Sequence, residues 1–340
     1  MSPKVTVLLP VYDGAELVRG AIDSVLAQTF ADFELLVVDD ASPDDSVAVV
    51  ESYGDPRIRL LRNERNLGQV PTTNRGLHEA RGEYVARIDQ DDVALPTRLE
   101  RQVAVLDAEL DVAVVGSWVD YVDDRGRIAS SLRGTIDDFP QFLYLLLANA
   151  LPLAHSAVMY RREEVLALGG YDESVALAED MDLWRRLALH RREGRVVPEV
   201  LLRYLVHRGQ QSHARGSEQA ERNRRSSERF VASFSTAEAA AAAWRLATLD
   251  IDPPRDASAY TAALDRLLAD ARTHFELDER LDHLVKAHVA RMARRGWRSD
   301  MTSAAELASW AGERIPAATR FAAPLLRGVR KARGYHGAHG

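Results

Sequence analysis

Five short runs rich in Val, Ile, Leu and Tyr recur along the first 120 residues, and a helical pattern separates each from the next. The runs are Val5–Leu9, Glu34–Val38, Ile58–Arg62, Tyr84–Ile88 and Val112–Gly116. They show little polar alternation, as expected of strands covered on both faces. The helical patterns lie near Ala15–Ala27, Asp45–Ser52, Val70–Ala80 and Pro96–Leu110. Ser42-Pro43-Asp44-Asp45 reads as a cap with acidic first-turn residues, and Pro96 suits a helix start. This repetition predicts an α/β fold, with a mostly parallel sheet and right-handed crossovers flanked by helices. In such sheets ligands bind beyond the carboxyl ends of the strands.

The rest of the chain is organised differently. Residues 122–128 read as a hairpin turn, Phe139–Ala150 as an apolar helix, Asp180–His190 as a short amphipathic helix and Val196–Tyr204 as a strand. From about Ser226 the composition shifts to Ala-rich helix, including Ala239–Ala243, with Asp252-Pro253-Pro254-Arg255 as punctuation. A division into 1–225 and a helical 226–340 follows, and 340 residues suffice for two such parts.

Composition removes several classes of function. The chain has no cysteine, which excludes a disulfide scaffold, a thiolate zinc site and a cysteine nucleophile. Residues 1–225 hold 27 Lys and Arg against 37 Asp and Glu, so nucleic acid is not an expected partner. Met1–Leu9 enters a strand pattern without a secretory signal, and the longest apolar stretch, Phe142–Tyr160, is interrupted by Asn149, Pro152 and His155. The expected location is cytoplasmic.

Acidic residues follow the ends of the buried runs. Asp39 and Asp40 close the second, and a carboxylate there could accept the ring N–H of uracil, thymine or guanine, or take part in helix capping. Asp89, Asp91 and Asp92 follow the fourth. Three carboxylates in four residues repel one another if buried, and a divalent cation resolves that; all-oxygen ligands favour Mg²⁺ or Mn²⁺. A solvated acidic turn is the alternative. Glu179-Asp180 opens a short helix, as dipole-matched acids or as a general base. His155 follows an apolar helix, and His207 sits in a polar segment where it could contact phosphate or metal.

Taken in order, these segments resemble the family 2 glycosyltransferases, inverting enzymes of the GT-A (Rossmann-like) fold. The matching pieces are Leu8–Tyr12, Gln28–Ser42, Arg62–Gly68, Asn74–Leu77, Ala80–Tyr84, Asp89–Asp92, His155–Arg161, Gly169–Asp172 and Glu179–Trp184, across about residues 3–215. The resemblance implies a nucleotide pocket built around Pro10, Val11, Tyr12, Asp39, Asp40, Asn66, Asn74 and Asp89, with Asp40 pairing with the base. It implies a Mn²⁺ or Mg²⁺ site among Asp89, Asp91, Asp92 and His207, and a catalytic base at Asp180 with Glu179 beside it. His155 and Trp184 are the candidate substrate contacts. Tyr204–Ser212 resembles the family's loop over the diphosphate. Leu205-Val206 before the histidine and Gln69-Val70-Pro71 depart from the family pattern.

The implied reaction moves a sugar from a nucleotide-diphosphate donor, UDP- or dTDP-linked, to an acceptor hydroxyl on a glycan or lipid-linked acceptor. A nucleotidyltransferase would need phosphate-gripping Lys or Arg after the first strand, which Pro10–Gly14 lacks. A non-catalytic sugar-nucleotide-binding or scaffold protein is the other alternative; the retained carboxylates argue against it. Residues 314–340 are basic with interleaved apolar residues, a pattern suited to peripheral contact with the inner face of a membrane, to packing on the catalytic part or to a free end.

Overall fold

The computed structural model describes residues 2–207, 216–248, 254, 256–294 and 301–312. β1 (Val5–Val11), β2 (Phe33–Asp39), β3 (Ile58–Arg62) and β4 (Tyr84–Arg87) form a parallel block in the order β3-β2-β1-β4. The crossovers are α1 (Val18–Leu26), α2 (Ser46–Glu51) and α3 (Gln69–Glu79). β1 shows why the runs lack polar alternation. Leu8 packs into one apolar layer while Val5, Val7, Leu9 and Val11 pack into the other, so both faces are dry. α1 buries Val18, Ala21, Ile22 and Val25 on one stripe at helical spacing.

Beyond β4 the sheet becomes mixed. β5 (Val93–Ala94), α4 (Arg98–Ala108), β6 (Val112–Val122), β7 (Ile128–Leu132) and α5 (Phe139–Leu147) come next. β8 (Met159–Arg161), α6 (Arg162–Ala167), α7 (Glu179–Leu189) and β9 (Glu193–Leu205) complete this part. β8 lies antiparallel between β4 and β6, while β6 and β9 run parallel. β6 is longer than expected because its second half forms the hairpin with β7. α4 begins two residues after Pro96, whose carbonyl is engaged by the Thr29 N–H at 2.8 Å.

The expected boundary at 225/226 falls inside α8 (Gly216–Ala232). α9 (Ala237–Thr248), α10 (Ala257–Phe275), α11 (Arg280–Arg294) and α12 (Met301–Gly312) follow. Their apolar residues, among them Leu246, Leu264, Phe275 and Val285, join the same core as α5 and α7. α5 makes this union possible: it is buried on every side, so it needs cover beyond the sheet. A boundary read from composition therefore misses a packing continuity. The tail 314–340 and residues 208–212 lie outside the described residues.

Candidate active site

The carboxyl ends of β1, β2 and β4 and the start of α7 carry the expected acids. At β1, Pro10 is partly exposed, Val11 is buried and Tyr12 is 45% exposed. The loop that follows hangs from the one after β2. Asp13 N–H donates to Ser42 Oγ (3.2 Å), Gly14 N–H to Ser46 Oγ (2.9 Å) and Ala15 N–H to Asp44 Oδ2 (2.8 Å). Asp44 also accepts from the Ser46 N–H, so it satisfies the first amide of α2 from one residue before the N-cap position, Asp45.

Asp40 is buried and nearly saturated. It accepts from Asn63 Nδ2 (2.7 Å), Leu67 N–H (2.8 Å) and Gly68 N–H (2.8 Å). An ionised carboxylate has roughly four acceptor positions, which leaves one for a ligand. Asp39 is buried, and its oxygens lie 3.3 Å from the Ser42 N–H. Asn66 is exposed on the loop that Asp40 organises.

The acids after β4 are held in another way. The buried Arg87 guanidinium lies 2.7 Å from Asp89 Oδ1, and the Asp89 N–H donates to Ser156 Oγ (2.9 Å). Asp91 Oδ2 lies 3.0 Å from His207 Nε2, joining the end of β9 to this cluster. Asp92 is fully buried and accepts from the Leu205 N–H at 3.1 Å. Burial, then the charges of Asp91 and Asp89, pushes its carboxyl well above the usual range. Beneath lies Arg98, whose guanidinium donates to the Arg87 and Val158 carbonyls and whose pKa burial lowers to about 10. Gln90, between the acids, donates to the Tyr12 carbonyl (3.0 Å) and accepts the Tyr12 N–H (2.9 Å). Its side chain fills the space where a Cβ on Gly14 would sit, 2.6 Å away.

At α7, Asp180 is partly exposed and accepts its neighbour's Met181 N–H at 2.7 Å. Glu179 is buried, and burial followed by the Asp180 charge raises its pKa to about 7. Burial and the Arg87 charge lower the His155 pKa, against the opposing charges of Asp180 and Asp89.

Two expected contacts are corrected. Trp184 is completely buried against Tyr160, with ring centroids 6.3 Å apart, because it shares the inward face of α7 with Leu183 and Leu187. It has no surface to offer a substrate. Asn74 spends its amide on both backbone groups of Tyr171, each at 2.8 Å, instead of facing the nucleotide loops. Arg87 and Arg98 were missed. Arg87 carries a signal, a charge inside an otherwise apolar run that ends at the acids, whereas Arg98, at the start of α4, carries none.

Among the described residues no three His, Asp or Glu side chains form a ready metal cage. A cation shared with a substrate diphosphate needs only one or two protein carboxylates. Asp91 with His207 beside it, next to the crowded Asp92, is a mixed oxygen and nitrogen donor set, which fits Mn²⁺ better than the all-oxygen preference of Mg²⁺.

The model of the family described as Glycosyl transferase family 2 matches residues 6–166. An uncharacterized glycosyltransferase of Methanocaldococcus jannaschii is 31% identical over 209 residues, covering 60% of this chain and 71% of that protein. The chain belongs to glycosyl transferase family 2. This glycosyltransferase is also 29% identical to an uncharacterized one of Haemophilus influenzae, over 64% of this chain and 70% of that protein. Its fold matches S. aureus TarS 1-349, solved with UDP-GlcNAc, with a TM-score of 0.59 at 19% identity over 91% of this chain and 90% of that one. It also matches mannosyltransferase PcManGT of Pyrobaculum calidifontis, solved with GDP-Man and Mn²⁺, with a TM-score of 0.51 at 21% identity over 99% and 87%. The fold is thus GT-A-like, with the helical C-terminal part included in the likeness.

Proposed function

We propose that this glycosyltransferase moves a sugar from a nucleoside-diphosphate donor to an acceptor hydroxyl with inversion, assisted by a divalent cation. The observation that carries the reading is the placement of acids at the carboxyl edge of the sheet, Asp89 after β4 beside Arg87 and Asp180 at the start of α7, both near enough for their charges to act on His155. Such a pair gives a donor side and an acceptor side to one pocket.

Each group then has a task. Asp91 and His207 would hold the cation, which when bound supplies charge neutralisation for the departing diphosphate. Asp180 accepts the proton of the attacking hydroxyl. Attack from the face opposite the leaving group inverts the anomeric carbon, and one base suffices because no covalent intermediate forms. Glu179, uncharged over part of the neutral range, avoids adding a second negative charge beside the base. Asp40 holds the Asn63–Gly68 loop as one wall of the base pocket, and its remaining acceptor position suits the ring N–H of uracil or thymine. Tyr12 offers an exposed ring at the same edge. Support for a nucleotide-sugar donor comes from the family and from the UDP-GlcNAc bound by TarS.

Among the described residues no helix is long and apolar enough to cross a membrane. The basic and apolar pattern of 314–340 supports a peripheral membrane contact, a location that would suit a lipid-linked acceptor.

A thermal-stabilisation screen of UDP-, dTDP-, GDP- and ADP-sugars, with Mn²⁺ or with chelator, tests the donor reading. A uridine or thymidine donor should stabilise the protein more with Mn²⁺. Equal stabilisation by adenosine and uridine donors would remove the base assignment, and equal shifts in chelator would remove the cation.

A further inference from the structure

Asn74 on α3 and Tyr171 in the turn before α7 are 97 residues apart and joined by two hydrogen bonds. Asn74 Nδ2 donates to the Tyr171 carbonyl, and the Tyr171 N–H donates to Asn74 Oδ1, each at 2.8 Å. Gly170 permits the approach: its φ is +74°, and a Cβ there would lie 2.6 Å from Asn74 Oδ1. The Tyr171 side chain is buried, edge-on to Tyr160 with ring centroids 6.4 Å apart. Its hydroxyl lies 3.1 Å from His155 Nε2. Three distant segments thus form one strut that ends on an imidazole. The other ring nitrogen, Nδ1, has no hydrogen-bond partner among the described residues.

We propose that His155 is a substrate-contacting residue of the transfer reaction. The Tyr171 hydroxyl, which neighbours the Tyr160 hydroxyl as well, donates its one proton to Nε2 and holds the ring as its Nδ1–H form, and Nδ1–H donates to a hydroxyl of the sugar being transferred. Tyr171 and Asn74 are positioning residues that act through His155. This rests on the glycosyl-transfer reading above. In that reading the sugar lies between the departing diphosphate and the base. The Asp89 N–H donates to the hydroxyl of Ser156, the residue after His155, at 2.9 Å, so His155 stands beside the acid that faces the diphosphate in that reading, and the sugar is the group within its reach. Burial and the nearby Arg87 charge favour the neutral ring, which has one donor and one acceptor nitrogen. With the acceptor taken by Tyr171, the donor remains for the ligand. A polar group placed to bond a substrate hydroxyl also rejects donors that lack it, since it is then left unpaired.

Nitrogen NMR of the full-length protein labelled with ¹⁵N-histidine tests the strut without any ligand, with His155→Gln identifying the signal. The expected wild-type spectrum shows a protonated Nδ1 and an unprotonated Nε2. Tyr171→Phe, which removes only the hydroxyl, should shift the ring towards the Nε2–H form. An Nε2–H ring in the wild type, or an unchanged tautomer in Tyr171→Phe, overturns the proposal. A double-mutant cycle on turnover of a UDP-sugar then tests the substrate contact. Tyr171→Phe should lower kcat about 10-fold and His155→Ala about 10²-fold, with donor KM little changed. The double variant should match His155→Ala alone, because Tyr171 acts only through the ring. Additive losses, or unchanged kcat in His155→Ala, contradict it. A wild-type protein that turns over no nucleotide sugar counts against the glycosyl-transfer reading and the sugar contact together, while the NMR result still decides the strut.

Discussion

Asp40 and Asp92 are both buried aspartates following parallel strands of one sheet, yet their surroundings differ. Asp40 receives three protein donors and ties the loop after β3 to the end of β2. Asp92 receives the Leu205 N–H and faces the charges of Asp91 and Asp89. The Asp40 end is therefore held by hydrogen bonds, whereas the acidic end keeps three carboxylates close together with Arg87 and Arg98 only partly offsetting their repulsion at Asp92. Repulsion of that kind costs stability in the free protein, and a bound cation of the proposed kind would relieve it. In the proposed reading, the difference separates a carboxylate that shapes the pocket from carboxylates that would work in it.

The sharpest way to break this comparison is at the working side. Asp180→Asn keeps the shape and hydrogen-bonding capacity of the side chain but not the base, so turnover should fall about 10²–10⁴-fold while donor binding is retained. Single-turnover kinetics with a bound donor measures this, and near-wild-type transfer would move the base to another group. On the building side, Asp40→Ala leaves Leu67 N–H, Gly68 N–H and the Asn63 amide without their acceptor. Urea unfolding should show a loss of about 2–4 kcal/mol. Asp91→Ala should cost less than about 1 kcal/mol in the same assay. Equal losses would erase the distinction between the two ends.

A smaller effect concerns pH. The folded pKa of Glu179 is raised to about 7 from an ordinary 4.5, so the folded state binds more protons than the unfolded state between those values. Its contribution is fully present below pH 4.5 and is lost as pH rises to about 7. Glu179→Gln should flatten that part of the stability profile and raise stability at pH 8 by about 1–3 kcal/mol. An unchanged slope in chemical denaturation between pH 5 and pH 8 would contradict it. Smallest of all, Asn66→Ala should leave stability within about 0.5 kcal/mol, because that side chain is exposed.

The architecture was legible because buried parallel strands leave a local trace. The pattern places Ile58–Arg62 to the residue, and the acids at the end of β2, after β4 and at the start of α7 are legible from their neighbours alone. What escaped depends on contacts between distant segments. Asn74 looks like a loop-facing amide until its partner, 97 residues away, is known. Trp184 sits on an amphipathic helix whose apolar stripe already placed it inward, so the motif match outweighed a sound local signal. Arg87 balances Asp89 from inside a strand, where periodicity registers only an interruption. The C-terminal helices share a core with α5, a union that composition does not report.

Calorimetric titration of the full-length protein with UDP, in Mn²⁺ and in chelator, tests the central distinction most directly when wild type and Asp91→Ala are compared. The account expects tighter binding in Mn²⁺ for the wild type, with that gain lost in Asp91→Ala and the fold intact. A wild-type affinity that is the same in chelator, or a gain that survives in Asp91→Ala, would contradict it.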